Sequence, residues 1–305
     1  MGSVYSIVVY GADRTTMESA VEDAFEEVRR LDRMLSNYRP NSEWSKVNRL
    51  AGSQSVIVST ELFRLLAACD TYSTLSDGAF DISVGPLMKV WGFYRGSGRL
   101  PHQAEIRTAL RLVGYRNIVL DPRHSIVRFK RPGVEIDPGG IGKGYAVQRI
   151  VEVLKAGGIQ SALVSAGGSS IFALGSPPNE AGWRIAIRNP LNKDVSIEEI
   201  TLHDRSMSTS GTYEKFFTAG GRTYSHIMDP RTGWPAPGML SVSVIAPSPL
   251  DSEAWTKPVF INGRRWAAQR LPNGFRAYLC EDPAGRTARR RFADTRMEPQ
   301  CAWLQ

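Results

Sequence analysis

EKFFTAGGRTYSHI, Glu214 to Ile227, is the stretch that decides the fold. Phe216, Phe217 and Thr218 on one side and Arg222, Thr223 and Tyr224 on the other suit strands, and Ala219, Gly220 and Gly221 between them supply the permissive backbone of a tight hairpin. A two-residue hairpin joins antiparallel strands. Outward from it, SALVSAG (Ser161 to Gly167), SSIFALG (Ser169 to Gly175), WRIAIRNP (Trp183 to Pro190) and SVSVIAP (Ser241 to Pro247) read as further strands. YRNIVLD (Tyr115 to Asp121) and SIVRFKR (Ser125 to Arg131) read as another hairpin. Helical spacing lies in other blocks. Thr16 to Leu35 sets Ala20, Ala24, Val28 and Leu31 on one stripe, and Thr60 to Tyr72 does the same with Leu62, Leu65, Leu66 and Cys69. Gln103 to Leu112 ends at Gly114, and Tyr145 to Leu154 ends at Gly157 and Gly158. Strands and helices in separate blocks predict an α+β fold, with antiparallel sheets and segregated helices. No linker divides the chain, so residues 1–282 are expected to form one unit and 283–305 a basic, loosely ordered C-terminal tail.

Composition narrows the function. The 305 residues, 42% of them apolar, are enough for a sizeable core. No run approaches the roughly 20 apolar residues of a membrane span, and MGSVYSIVVYGADR alternates like a strand without the basic start of a signal peptide. The net charge is +8, but Arg286, Arg289, Arg290 and Arg291 concentrate charge in a polar tail rather than around a group of aromatic residues. That reads as a solvated segment and not as a nucleic-acid site. Cys69, Cys280 and Cys301 are odd in number and lack metal-ligand spacing, so all three read as structural or incidental.

The chemistry concentrates in a few polar, glycine-bearing segments. EIDPGGIGKGYAV (Glu135 to Val147) places Asp137 after a strand and Gly139, Gly140, Gly142 and Gly144 before a helix, a turn able to turn backbone groups toward a phosphate or a metal. Its spacing is neither G-x-G-x-x-G nor that of a P-loop. SHIMDPRTGWP (Ser225 to Pro235) holds His226, one of four histidines, beside Asp229 and Arg231, and imidazole is the natural proton acceptor near neutrality. STSGTY (Ser208 to Tyr213) reads as an oxygen-rich turn next to a strand. In APSPLDSEAWTKPVF (Ala246 to Phe260), Glu253, Ser252 and Asp251 lie three, four and five residues before Thr256, so the first two share a helical face with it and Asp251 does not, and Pro258 disfavours a regular helix there.

Taken together with FDISVGPLMKVWGF (Phe80 to Phe93) and LSNYRPNSEWSKVN (Leu35 to Asn48), these segments resemble the ApbE-type flavin transferases, which take FMN from FAD and attach it to a protein Thr or Ser. The resemblance runs from Met1 to about Gly263 and implies an ApbE-like, tunnelling-fold-like single unit. It implies FAD contacts at Met1, Ala79, Phe80, Asp81, Asp137, Lys143, Ser210, Gly211 and Ile227, with Tyr38 covering the isoalloxazine ring. It implies His226 as the catalytic base or pyrophosphate-orienting group. A magnesium ion would be held by the Gly140 carbonyl and by ligands among Asp251, Glu253 and Thr256, hard oxygens that suit it together with substrate phosphates. Three features depart from the family: Thr212 stands where an Asp is usual, Ser165 stands where an Asn is commoner, and the Asp251-to-Thr256 spacing is altered.

The expected reaction is therefore magnesium-dependent transfer of FMN from FAD to a Thr or Ser of an acceptor flavoprotein subunit of a redox system, with release of AMP. An FAD pyrophosphatase using water in place of the acceptor, or a non-catalytic FAD-binding protein, would use the same segments. The resemblance also suggests a periplasmic or membrane-tethered bacterial protein, anchored if at all through a segment upstream of this chain.

Overall fold

The computed structural model describes residues 3–96, 98–282 and 299–304. The chain opens with β1 (Tyr5–Tyr10), α1 (Arg14–Leu35), α2 (Glu43–Leu50), β2 (Val56–Ile57), α3 (Thr60–Leu75), α4 (Gly85–Val90) and α5 (Gln103–Leu110). There follow β3 (Ile118–Asp121), β4 (Ile126–Phe129), α6 (Gly142–Ala156), β5 (Ser161–Ala166), β6 (Ser170–Leu174), β7 (Trp183–Asn189) and β8 (Asn192–Leu202). The last part holds β9 (Arg205–Gly211), β10 (Phe216–Ala219), β11 (Arg222–Ser225), β12 (Met228–Asp229), β13 (Trp234–Pro235), β14 (Met239–Ala246), α7 (Pro249–Arg270), β15 (Arg276–Glu281) and β16 (Gln300–Trp303). The fold is α+β, and every pairing between these strands is antiparallel.

The frame is a seven-stranded sheet in the order β1-β5-β6-β9-β14-β15-β16. Its interior strand β14, next to the central β9, is buried along its whole length, so both faces must be covered. On one face Val242 and Val244 pack with Trp255, Val259 and Phe260 of α7, while α1 and α6 lie over β5 and β6 through Ala24, Ile150, Leu154 and Val164. On the other face the β7–β8 ribbon lays Trp183, Ile185, Ile187 and Leu202 over Met207 and Ile245. A smaller sheet, β2-β4-β3, packs with α2 and α3 around Trp44, Leu62, Leu66 and Phe129. The hairpin read from Ala219–Gly221 is present, with Gly220 and Gly221 both at positive φ between β10 and β11.

Local chemistry explains the helix starts. Asp13 caps α1 by accepting from the Thr15 and Thr16 amides, Ser59 caps α3, and Ser248 caps α7 with Pro249 in the first turn, where a missing N–H costs nothing. Three expectations need correction. α7 runs straight through Pro258 and breaks only at Gly263 (φ 76°), because burial of Trp255, Val259 and Phe260 outweighs the roughly 3 kcal/mol that an internal proline costs. Ser208 to Gly211 form the end of strand β9 and not a turn, since β6 and β14 pair with β9 on either side. Residues 300–303, assigned to a loose tail, form β16 against β15, and Cys301 is disulfide-bonded to Cys280. The four tail arginines and Met1 lie outside the described residues.

Candidate active site

The turn after Glu135 is built first. Asp137 caps a single 3-10 turn, Pro138–Gly140, its Oδ1 accepting from the Gly139 amide at 2.8 Å, and α6 begins two residues later. A Cβ on Gly139 would sit 2.6 Å from that oxygen, so the cap demands glycine. Oδ2 accepts from the Tyr94 hydroxyl at 2.6 Å and from the Asn37 amide at 2.9 Å. Burial raises the proton affinity of this carboxyl, and the bonds from Tyr94 and Gly139 bring it part of the way back. Asp137 thus ties the α1–α2 loop, Tyr94 and the glycine turn into one rigid corner.

Where α6 starts, α7 crosses it closely. A Cβ on Gly144 would lie 2.4 Å from the Pro249 carbonyl oxygen and 2.8 Å from Glu253 Cβ, so only glycine permits this approach. Glu253, 2% exposed, uses the approach: its Oε2 accepts from the Gly144 amide at 2.5 Å, satisfying one of the open N–H groups at a helix start. One turn along α7, Lys257 Nζ donates to the Glu253 carbonyl at 2.9 Å and lies 4.0 Å from Glu253 Oε1. Burial draws the Lys257 pKa down to about 8, with Glu253 opposing and Lys143 reinforcing the shift. Lys257 also lines the glycine turn: a Cβ on Gly140 would meet Lys257 Cε at 3.6 Å and the Phe80 ring at the same distance. Lys143, in the first turn of α6, hydrogen-bonds Ser169 Oγ in the β5–β6 turn, where Gly167 and Gly168 take positive φ.

His226, just after β11, completes the cluster. Its backbone N–H donates to the Lys215 carbonyl at 3.0 Å, and its ring Nδ1 lies 3.1 Å from the same oxygen. A carbonyl only accepts, so Nδ1 carries the proton and Nε2 keeps a lone pair. Part of the imidazole surface remains open, yet the protein encloses it enough for burial to pull its pKa down to about 4. The Lys215 carbonyl opposes that shift, while the charges of Lys215, Lys143 and Lys257 add to it. The charges of three lysines, on α6, on α7 and in the loop before β10, thus act on one neutral base.

The other expected residues are placed as follows. Tyr38 stands on the α1–α2 loop with 64% of its surface exposed, edge-on to Tyr94 at 6.5 Å between ring centres. Ala79 and Phe80 are core residues, Phe80 reaching the Gly140 turn. Asp81 is buried with both oxygens committed, Oδ1 to the Ser83 amide at 2.7 Å and Oδ2 to the Tyr115 amide at 2.6 Å, and burial pushes its pKa up to about 6. Ser210 on β9 donates to Thr256 Oγ1 at 2.8 Å, and Gly211 leaves room for the Tyr213 ring. Ile227 packs into the core beneath α7, and its carbonyl accepts from Ala236 at 2.8 Å. Thr212 hydrogen-bonds the Leu240 carbonyl. Asp229 and Arg231 pair with each other through both carboxylate oxygens and so shape the turn apart from His226.

The expected magnesium donors are engaged by protein groups. Asp251 Oδ1 accepts from the Tyr72 hydroxyl at 2.5 Å. The Thr256 hydroxyl donates to the Glu253 carbonyl at 2.7 Å while accepting from Ser210. Glu253 is shared between the Gly144 amide and Lys257. Among the described residues, no three His, Cys, Asp or Glu side chains cluster as a metal set.

Comparison with known proteins bears on this arrangement. The ApbE family pattern matches residues 1–279. This chain belongs to the ApbE family. Among ApbE relatives, the FAD:protein FMN transferase of Klebsiella pneumoniae (strain 342) is 33% identical over 264 residues, covering 85% of this chain and 79% of that protein. The FAD:protein FMN transferase of Treponema pallidum (strain Nichols) is 31% identical over 281 residues, covering 86% and 77%. The crystal structure of the ApbE protein of Thermotoga maritima superposes with a TM-score of 0.83 at 29% identity, covering 92% of this chain and 94% of that one. The apo Pseudomonas stutzeri flavinyl transferase ApbE gives 0.81 at 31% identity, with 92% and 89% covered.

Sequence reasoning about this ApbE chain misses Lys215, Lys257, Tyr94 and Asn37. For Lys257 a signal exists: it lies four residues after Glu253, on the same face of any helix through that segment. Rejecting the helix at Pro258 hides it. Tyr94 and Asn37 reach Asp137 from 43 and 100 residues away, respectively, and no local pattern records either contact.

Proposed function

We propose that this chain moves FMN from FAD onto a Thr or Ser hydroxyl of an acceptor protein and releases AMP. The observation that carries this reading is the glycine turn that opens α6, lined by Lys257 beside Gly140 and followed by Lys143, with the charges of Lys143, Lys215 and Lys257 all acting on His226. Such a set suits the pyrophosphate of FAD, a compact polyanion that takes point charges from ammonium groups and N–H donors from glycine backbone. The exposed ring of Tyr38 at the same corner offers a face to the isoalloxazine.

In the reaction, His226 Nε2 accepts the proton of the acceptor hydroxyl. The freed oxygen attacks the FMN phosphorus, the bond to the bridging oxygen breaks, and AMP leaves with that electron pair while the lysines hold the charge on the phosphates. The lysine charges that depress the basicity of His226 in the free protein are neutralised by a bound pyrophosphate, so substrate binding strengthens the base it needs. FAD is here a substrate, and the redox chemistry belongs to the acceptor, which we propose to be a flavoprotein subunit of a redox system. The Cys280–Cys301 disulfide supports export to an oxidising compartment such as a periplasm.

The resemblance also implies magnesium. The donors at the site suit that ion poorly: Asp251 Oδ1 is taken by the Tyr72 hydroxyl, the Thr256 hydroxyl is bonded on both sides, and Glu253 already faces an amide and an ammonium, whose like charge would oppose a dication. No step is assigned to a metal. The test of the reading is to incubate the chain with FAD and candidate acceptor subunits, following acceptor mass and AMP. Acceptor gaining one FMN, with an equal amount of AMP, is the expected result. His226→Ala should slow transfer by roughly a hundredfold or more. AMP and FMN with no gain in acceptor mass would replace the transferase by a pyrophosphatase.

A further inference from the structure

We propose that the Lys257 ammonium is the fixed cation of this active site, contacting the substrate pyrophosphate directly, so that the chain cleaves FAD without a divalent metal. The inference rests on the FAD reading above. Its geometry comes from α7, whose register sets Lys257 one turn after Glu253 on the face toward the glycine turn. One N–H of the ammonium is anchored on the Glu253 carbonyl at 2.9 Å, which leaves two for a ligand. A Cβ built on Gly140 would lie 3.6 Å from its Cε, so the stem runs beside the turn expected to take the phosphates. Glu253 Oε1, at 4.0 Å, balances that charge in the free protein.

A magnesium ion has no comparable place. It needs about six oxygen ligands at about 2.0–2.1 Å. The two acids on this stretch of α7 are each engaged, Asp251 Oδ1 by the Tyr72 hydroxyl and Glu253 Oε2 by the Gly144 amide, with the Lys257 ammonium 4.0 Å from Oε1. A dication on the Glu253 carboxylate would also sit within a few ångströms of an ammonium, a like-charge contact that the buried setting screens poorly. An ammonium in that position supplies positive charge without a coordination shell. The covalent step is unchanged: the hydroxyl oxygen of the acceptor, or of water as a surrogate, bonds to the FMN phosphorus, its proton goes to His226, and AMP departs with the bridging oxygen. Lys257 stays charged throughout.

The experiment compares the wild-type chain and Lys257→Met, each with FAD in excess chelator or in added magnesium. Two readouts are taken: FAD affinity from flavin fluorescence, and AMP release with water as acceptor. The expected result is wild-type affinity and AMP release that change by less than about twofold between chelator and magnesium, with Lys257→Met weakening FAD binding at least about tenfold in both. Wild-type binding or cleavage that collapses in chelator and returns with magnesium overturns the proposal without any reference to the variant. Equal FAD affinity of Lys257→Met and wild type overturns it too, provided the variant melts as cooperatively as wild type. If FAD binds through Lys257 in chelator and in magnesium but neither water nor any acceptor subunit receives FMN in either, the transferase reading and the metal-free cleavage both fail, and only the contact of Lys257 with FAD is upheld.

Discussion

Asp81 and His226 show how differently two buried ionisable residues are employed. Both Asp81 oxygens accept backbone N–H groups, so Asp81→Asn leaves one buried amide without an acceptor and should cost about 1–3 kcal/mol in denaturant unfolding. FAD affinity should hold; a large loss of affinity with unchanged stability would give Asp81 back to the nucleotide. His226 is neutral in the fold, with a pKa near 4 against 6.5 when unfolded. The unfolded chain therefore binds the proton first, and this histidine's contribution to stability is full above about pH 6.5 and declines as pH falls toward 4. The acid limb of kcat/KM for FAD cleavage, which reports the free protein, should lie near pH 4, and a limb at 6 or above would contradict the desolvated environment of the ring. At this scale the sequence is legible where a residue and its partners are neighbours, as with Asp137 and Gly139. It is silent where Asn37 and Tyr94 arrive from elsewhere, because contact across the fold leaves no spacing to read.

The decisive element is the crossing of α6 and α7 at Gly144. Gly144→Ala would drive a Cβ into the Pro249 carbonyl and Glu253, so the helices must part, at a cost of about 1–3 kcal/mol or more. Because Glu253 holds Lys257, the same variant should weaken FAD binding measured by fluorescence; intact binding would mean that Lys257 is positioned independently of the crossing. Most elements were visible from periodicity: α1 and α3 from their apolar stripes, the β3–β4 and β10–β11 hairpins from their turns. α7 and β9 were hidden for opposite reasons. Pro258 argues locally against a helix that tertiary burial sustains, and the Ser208–Ser210 run looks like a turn, although its hydroxyls are partnered, Ser208 to Ser252 and Ser210 to Thr256, with the α7 helix that covers the strand.

For the whole molecule, the Cys280–Cys301 bond fastens β16 to the sheet on the side away from β1. Cys301→Ser should lower unfolding free energy by about 2–4 kcal/mol and leave FAD cleavage unchanged, since none of the residues around His226 lies on β15 or β16. Lost activity at unchanged stability would contradict this. The pairing escaped the sequence because three cysteines admit several pairings and the arginine-rich stretch before Cys301 suggests only solvation. The order of the sheet carries a further consequence. Its margins, β1 and β16, are the first and last strands of the sequence, while β6, β9 and β14 between them are drawn from the middle. Until β16 has been made, the edge of the sheet along β15 has no partner strand. Joining Cys280 to Cys301, with two electrons and two protons passed from the two thiols to an oxidant, then fixes the last strand in place, so a chain that ended before β16 would keep a lone Cys280 thiol and an unpaired strand edge.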